Sequence, residues 1–163
     1  MAKNKKLKVG VIGMGYIGNC HREAYEADGR AEIVALSETR EERLNEFKGK
    51  AKYLFTNWQD VLKIGDIDVV SIALPNYLHA PVAVAALEAG KHVLCEKPMA
   101  LNAAEAADMV QAARDNGKRI MIAFNNRFRH DTRYLKNIIE SGELGEIYYA
   151  KCGWMRRMGI PGW

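Results

Sequence analysis

The stretch that decides the fold is Gly13-Met14-Gly15-Tyr16-Ile17-Gly18. It follows the apolar run 7–12, which has the length and composition of a buried strand. It opens the run 16–28, which is typical of a helix and is followed by Gly29. A strand, a glycine-rich turn and a helix in this order indicate the first unit of a dinucleotide-binding α/β domain.

Each glycine of this motif has a physical task. Gly13 permits the tight turn, Gly15 lets the backbone approach a pyrophosphate, and Gly18 lets the helix pack close to the strand. The helix begins at Tyr16 and Ile17, where free amide groups and the helix dipole favour an anion. We therefore expect these five residues to bind the phosphates of a dinucleotide.

An acidic residue follows the second strand-like run, 31–36. Glu38 stands 20 residues after Gly18, where an acid hydrogen-bonds the ribose hydroxyls of NAD and repels a 2′-phosphate. The alternative is that Glu38 only caps the next helix. Arg40 offers a partner for a 2′-phosphate, or is a solvated helix residue. We expect NAD as the cofactor, with NADP as the alternative.

Strand and helix patterns alternate as far as Phe124, which predicts a doubly wound parallel sheet of the Rossmann type. The predicted strands are 7–12, 31–36, 51–55, 68–74, 92–95 and 119–124. The predicted helices are 16–28, 41–48, 57–62, 81–89 and 102–116. We assign residues 1–124 to a dinucleotide-binding domain.

The pattern changes after Phe124. A polar, basic segment leads to a short predicted helix, 134–139, and then to a turn at 141–145. Residues 147–155 alternate as an antiparallel strand does, and such a strand would offer an unpaired edge to a second copy of the chain. We interpret residues 125–163 as the beginning of an incomplete second, α+β domain.

Composition excludes several classes of protein. The chain has 163 residues, 48% of them hydrophobic, and a net charge of +4. The lysines of residues 3–8 are typical of a solvated tail, so we do not expect nucleic-acid binding. This leader has no long apolar core and no small-residue cleavage site, so we do not expect a secretion signal. No apolar run is long enough to cross a membrane. Cys20, Cys95 and Cys152 form neither a metal cluster nor an even disulfide set, which indicates the reducing cytoplasm and no metal site.

A second informative stretch is Ala89-Gly90-Lys91-His92-Val93-Leu94-Cys95-Glu96-Lys97-Pro98. It contains a helix end, a short buried strand, and a lysine between a carboxylate and a proline. Ligands of parallel sheets bind outside the carboxyl ends of the strands, and Lys97 is expected there. The neighbouring Cys95 is either a reactive thiol or an inert buried one.

Four motifs, taken in order, resemble the Gfo/Idh/MocA oxidoreductases, the relatives of glucose-fructose oxidoreductase and inositol dehydrogenase. The motifs are 13–18, 74–79, 96–98 and 141–145. The resemblance implies a first domain that binds NAD or NADP and a second, largely antiparallel domain that carries part of the substrate site. It also implies hydride transfer between the nicotinamide and a hydroxyl carbon of a small-molecule substrate, a sugar or polyol.

The resemblance assigns roles at one edge of the sheet. Lys97 matches the catalytic lysine, which would hydrogen-bond the reacting oxygen and steady its charge. Its alternative is a solvated loop residue. Glu96 would orient Lys97 or contact the nicotinamide side of the cofactor.

Further cofactor contacts come from the other motifs. Leu74, Pro75, Asn76 and His79 match the loop beside the nicotinamide ribose, although His79 is also placed to cap the following helix. Arg127 matches a basic position near the cofactor, and a surface salt bridge is its alternative.

The chain departs from the family at the general base. The family places a histidine on its second domain, and none of the four histidines here matches that position. We therefore interpret the chain as the cofactor-binding part of a dehydrogenase. The alternatives are a non-catalytic dinucleotide-binding module and a chain completed by a partner subunit.

Overall fold

Alternating strands and helices build the part of the chain that ends at Phe124. The computed structural model describes residues 5–153 and residue 155. The strands are β1 (Leu7–Ile12), β2 (Ala31–Ser37), β3 (Tyr53–Phe55), β4 (Val69–Ile72), β5 (His92–Cys95) and β6 (Ile120–Ile122). The helices are α1 (Tyr16–Asp28), α2 (Glu41–Asn45), α3 (Trp58–Leu62), α4 (His79–Glu88), α5 (Ala103–Asp115) and α6 (His130–Ser141).

The strands form one parallel sheet in the order β3-β2-β1-β4-β5-β6. The chain moves outward from β1 to β3, then crosses back and continues from β4 to β6. This confirms the predicted doubly wound Rossmann sheet. The order reverses between β1 and β4, and in such sheets ligands bind in the crevice at the carboxyl ends of these two strands.

Side chains of β1 serve both faces of the sheet. Val9 and Val11 belong to one buried apolar cluster, with Leu36 and Phe47, whereas Ile12 belongs to a second cluster built on α4 and α5. Successive side chains of a strand point to opposite faces, so burial on both faces explains the nearly continuous apolar run in this strand.

Several helices and strands are shorter than predicted. The predicted helix 41–48 ends at Asn45, because the next amides donate to carbonyls three residues back and form a run of turns instead. The predicted strands 51–55, 68–74 and 119–124 shrink to β3, β4 and β6. β3 is confined to the three residues that find partners on β2. The helix starts at Asn57 and Asn102 are confirmed, since both side chains accept a backbone amide of the first turn.

The second compact unit begins at Asn125. It contains a 3-10 turn, Asn125–Phe128, and helix α6, which is longer than the predicted 134–139 and ends at Gly142 with a positive φ of 78°. The predicted strand 147–155 was wrong for the described residues, because 147–153 and 155 adopt no strand conformation. A strand needs a partner for its backbone groups, and alternation alone does not provide one.

Two glycines of the first motif are required by close contacts with neighbouring backbone. Gly13 has a φ of 89°, a conformation that side chains with a Cβ rarely adopt. A Cβ on Gly18 would overlap the carbonyl oxygen of Gly13, and a Cβ on Gly13 would overlap that of Ala73. By contrast, a Cβ on Gly15 meets nothing within 4 Å. The fold therefore needs glycine at positions 13 and 18, whereas it leaves room for a side chain at Gly15.

We predict that Gly18→Ala destabilises the chain. The added methyl group meets backbone, which cannot rotate away, so the free energy of unfolding should fall by about 3 kcal/mol. Urea denaturation measures this change. The control is Gly65→Ala, where a Cβ meets nothing within 4 Å. Equal stability of the two variants would contradict the close packing of β1 and α1.

Candidate functional site

A cleft of about 310 Å³ opens at the carboxyl edge of the sheet, where the strand order reverses. Its walls come from the glycine turn after β1, the segment after β2, the segment after β4, and α3. The lining residues are Ile12, Gly13, Gly15, Ser37, Glu38, Thr39, Arg40, Trp58, Ala73, Leu74, Pro75, Tyr77 and Leu78. Residues from distant parts of the sequence therefore share one concave surface.

The N-terminus of α1 carries no internal anion. Gly15 occupies the N-cap position without a side-chain hydrogen bond, and the first turn contains no acidic residue. The amide groups and the dipole at this end are therefore available to an external anion. The space beside Gly15 and its position on the cleft fit a pyrophosphate.

An arginine that the sequence did not single out supports the glycine turn. Arg43, half-buried on α2, donates its Nε hydrogen to the carbonyl oxygen of Met14 at 2.5 Å. The bond joins residues 29 positions apart, so no local pattern distinguished Arg43 from the solvated cations near it. It ties α2 to the turn.

Glu38 is buried in the wall of the cleft, with 8% of the residue exposed. Its Oε1 accepts the backbone amide of Arg40 at 3.2 Å and the Nε hydrogen of the same residue at 3.3 Å. Glu38 is not the N-cap residue of α2, which is Arg40, but its carboxylate accepts the backbone amide of that N-cap residue. The carboxylate is thereby fixed at the end of β2, while the guanidinium remains largely exposed and is already paired.

The loop after β4 divides into cleft-lining and buried parts. Leu74 and Pro75 line the cleft, and Asn76 is exposed in the 3-10 turn Asn76–Leu78. His79 is fully buried: its Nδ1 lies 2.6 Å from the carbonyl oxygen of Pro98, and its Nε2 lies 2.9 Å from that of Leu74. It makes no side-chain cap of α4. His79 thus ties the cleft loop to the segment that contains Lys97.

The Glu96-Lys97 segment follows β5 at the same edge. Lys97 is exposed, and its backbone amide donates to Oε2 of Glu96 at 3.2 Å. The other oxygen of that carboxylate lies 3.1 Å from Nε2 of His21, whose Nδ1 lies 2.8 Å from Oγ of Ser71. Neither His21 nor Ser71 was predicted for the site, because three elements of the fold are needed to bring them together.

Cys95 and Arg127 are the remaining candidates. Cys95 is fully buried, and burial, followed by the charge of Glu96, raises the pKa of its thiol to about 12, which favours the inert alternative. Arg127 is exposed in the 3-10 turn of the second unit. Among residues 5–153 and 155, no cluster of three metal-binding side chains occurs. No helix in that part of the chain has the length and apolarity to cross a membrane.

Residues 7–124 match the model of the Gfo/Idh/MocA family, described as an oxidoreductase family with an NAD-binding Rossmann fold. The chain belongs to this family. The match covers most of the chain and coincides with the compact unit that carries the cleft.

Similar proteins of this family are dehydrogenases. D-glucoside 3-dehydrogenase of Escherichia coli is 37% identical and inositol 2-dehydrogenase of Salmonella paratyphi B is 39% identical, over 96% and 86% of this chain. The chain spans only 46% and 43% of the length of these relatives. The crystal structure of the WlbA dehydrogenase of Bordetella pertussis, in complex with NADH and UDP-GlcNAcA, is 33% identical. It superimposes with a TM-score of 0.83 over 88% of this chain and 44% of its own.

We predict that His79→Leu destabilises the chain. Leucine fills a similar volume but leaves the carbonyl oxygens of Leu74 and Pro98 without their imidazole partner, at a cost of about 2 kcal/mol. The free energy of unfolding from urea denaturation measures the effect. The control is His130→Leu at an exposed position of α6. We expect the free energy of unfolding to change there by less than about 0.5 kcal/mol. A loss no larger than in the control would mean that the bridge contributes nothing.

Proposed function

We propose that the chain is the NAD-binding part of an oxidoreductase that transfers a hydride between a sugar or polyol hydroxyl carbon and the nicotinamide. The observation that carries this proposal is the cleft itself. It joins an uncompensated helix N-terminus, open space beside Gly15 and a fixed buried carboxylate, Glu38, in a chain whose family binds NAD.

The cofactor's two polar parts are assigned to different walls of the cleft. The backbone at Gly13, Gly15, Tyr16, Ile17 and Gly18 would bind the pyrophosphate. Glu38 would accept hydrogen bonds from the adenosine ribose hydroxyls. Leu74, Pro75 and Asn76 would lie along the nicotinamide half.

The charges near the ribose support NAD over NADP. Glu38 repels a 2′-phosphate. Arg40, which lines the cleft, is paired with this same carboxylate through its Nε hydrogen. A 2′-phosphate would therefore have to displace an existing ion pair and then lie beside the carboxylate.

Lys97 is the proposed catalytic residue. Its exposed ammonium group follows β5 at the carboxyl edge, where it would donate a hydrogen bond to the substrate oxygen and stabilise charge there as the bond order changes. NAD, when bound, supplies the hydride acceptor. The names of the relatives, a glucoside dehydrogenase and an inositol dehydrogenase, support a hydroxylated ring as substrate.

The second unit is proposed to begin the substrate domain. The relatives are more than twice as long as the stretch that this chain matches. Residues of such a domain would complete the substrate wall and supply the general base. Without that base, we expect the rate to fall by a factor of about 10²–10⁴.

The first experiment is calorimetric titration with NADH and NADPH of the chain and of its Gly15→Val variant. We expect the variant to fold as stably as the parent, because a Cβ there meets nothing within 4 Å. Its isopropyl group would occupy the pyrophosphate position, so NADH affinity should fall at least about a hundredfold, or about 2.8 kcal/mol.

Gly65→Val is the matched control, since a Cβ on this glycine also lies in open space. It should bind NADH like the parent. Undiminished NADH affinity in Gly15→Val would remove the glycine turn from the proposal, and tighter binding of NADPH than of NADH would refute the role given to Glu38.

Lys97→Ala should leave NADH affinity within about threefold of the parent, a difference below 1 kcal/mol. Lys97 does not line the cleft, and its side chain is exposed. The same titration tests this. The contrasting variant is Lys91→Ala, which removes a buried ammonium that donates to the carbonyls of Ile64 and Gly65 and should lower stability instead. If Lys97→Ala abolished NADH binding, Lys97 would be structural.

A further inference from the structure

A buried chain of hydrogen bonds reaches Glu96 from α1. His21 contacts Ser71 of β4 through Nδ1 and Glu96, just after β5, through Nε2. The side chains of His21 and Glu96 are each only 13% exposed. The imidazole therefore joins three elements that are separated by 50 and 75 residues in the sequence.

The carboxylate at one end of this chain determines which ring nitrogen of His21 carries a hydrogen. An ionised carboxylate only accepts, so Nε2 of His21 carries the hydrogen that points to Glu96. Ser71 then donates to Nδ1 of a neutral imidazole or accepts from a protonated one, and both arrangements satisfy every atom. Tyr25 lies one turn beyond His21 on α1, and burial raises the pKa of its phenol.

A serine, a histidine and an acid in sequence also form the triad of hydrolases. Here the serine hydroxyl belongs to a fully buried residue in the middle of the sheet, where no substrate reaches it. A nucleophile must be accessible to its substrate. The arrangement therefore serves to hold the carboxylate.

We propose that His21 is a positioning residue for the Glu96-Lys97 segment. It holds Oε1 of Glu96, which leaves Oε2 to accept the backbone amide of Lys97 at 3.2 Å. The start of the lysine segment is thereby fixed to the sheet, while His79 contacts the carbonyl oxygen of Pro98, the residue after Lys97. The inference rests on the proposed catalytic role of Lys97 for its functional meaning, but not for its geometry.

The test is amide hydrogen exchange at Lys97 in the free chain, followed residue by residue by NMR. In His21→Leu, the carboxylate loses its imidazole donor and turns, so the Lys97 amide should exchange about tenfold faster. His21→Gln should return the rate to within about twofold of the parent, because an amide side chain supplies one donor and one acceptor in the same order.

His92→Leu is the matched control. His92 is a half-buried histidine at the opposite end of β5, where its Nδ1 accepts the backbone amide of Arg119. The His92→Leu variant should leave the exchange rate of the Lys97 amide unchanged, although it also loses one hydrogen bond of a histidine side chain. Faster exchange across all of β4 and β5 in His21→Leu, and not at Lys97 in particular, would show a merely structural histidine and overturn the proposal.

Ser71→Ala keeps the test decisive if His21→Leu does not fold. It removes the partner of Nδ1 and leaves the imidazole free to rotate, so Lys97 exchange should rise about threefold. Unchanged Lys97 exchange in this variant would also overturn the proposal. NADH titration of the same samples is independent of it: absence of NADH-induced shifts at Gly13 and Gly15 would refute the proposed function while leaving the exchange result intact.

Discussion

The close approach of α1 to β1 is the constraint on which the rest of the structure depends. Because Gly18 lies against the carbonyl of Gly13, the helix begins directly at the carboxyl end of the central strand. Its free amides therefore face the crevice where the strand order reverses. With any larger residue at this contact, the helix would be displaced and its N-terminus would no longer face the cleft.

Polar bridges between strand ends then hold the loops around that crevice. Each parallel strand ends at the same edge, and the loops that follow carry backbone groups without sheet partners. Arg43 donates to the carbonyl of Met14, the two ring nitrogens of His79 contact the carbonyls of Leu74 and Pro98, and the Glu96 carboxylate accepts the Lys97 amide. The edge is thus preorganised by side chains that need not contact any ligand.

Local signals were sufficient for much of this architecture. The glycine motif predicted β1, the turn and α1, and Asn57 and Asn102 marked helix starts, because each of these features depends on neighbours a few residues away. Contacts across the sheet could not be predicted from local patterns, because His21 meets Ser71 and Glu96 only after three strands have paired. The alternating residues 147–153 show the converse, since a strand pattern forms no strand without a partner.

Three of the four histidines show how such contacts hold a side chain in place. Both ring nitrogens of His21 and both of His79 lie within hydrogen-bond distance of protein atoms, which holds each imidazole in one orientation. His92 lies at the opposite end of β5 from Lys97, and its Nδ1 is occupied by Arg119. These three histidines are therefore held by the protein's own groups, whereas Lys97 is exposed at the carboxyl edge of the sheet.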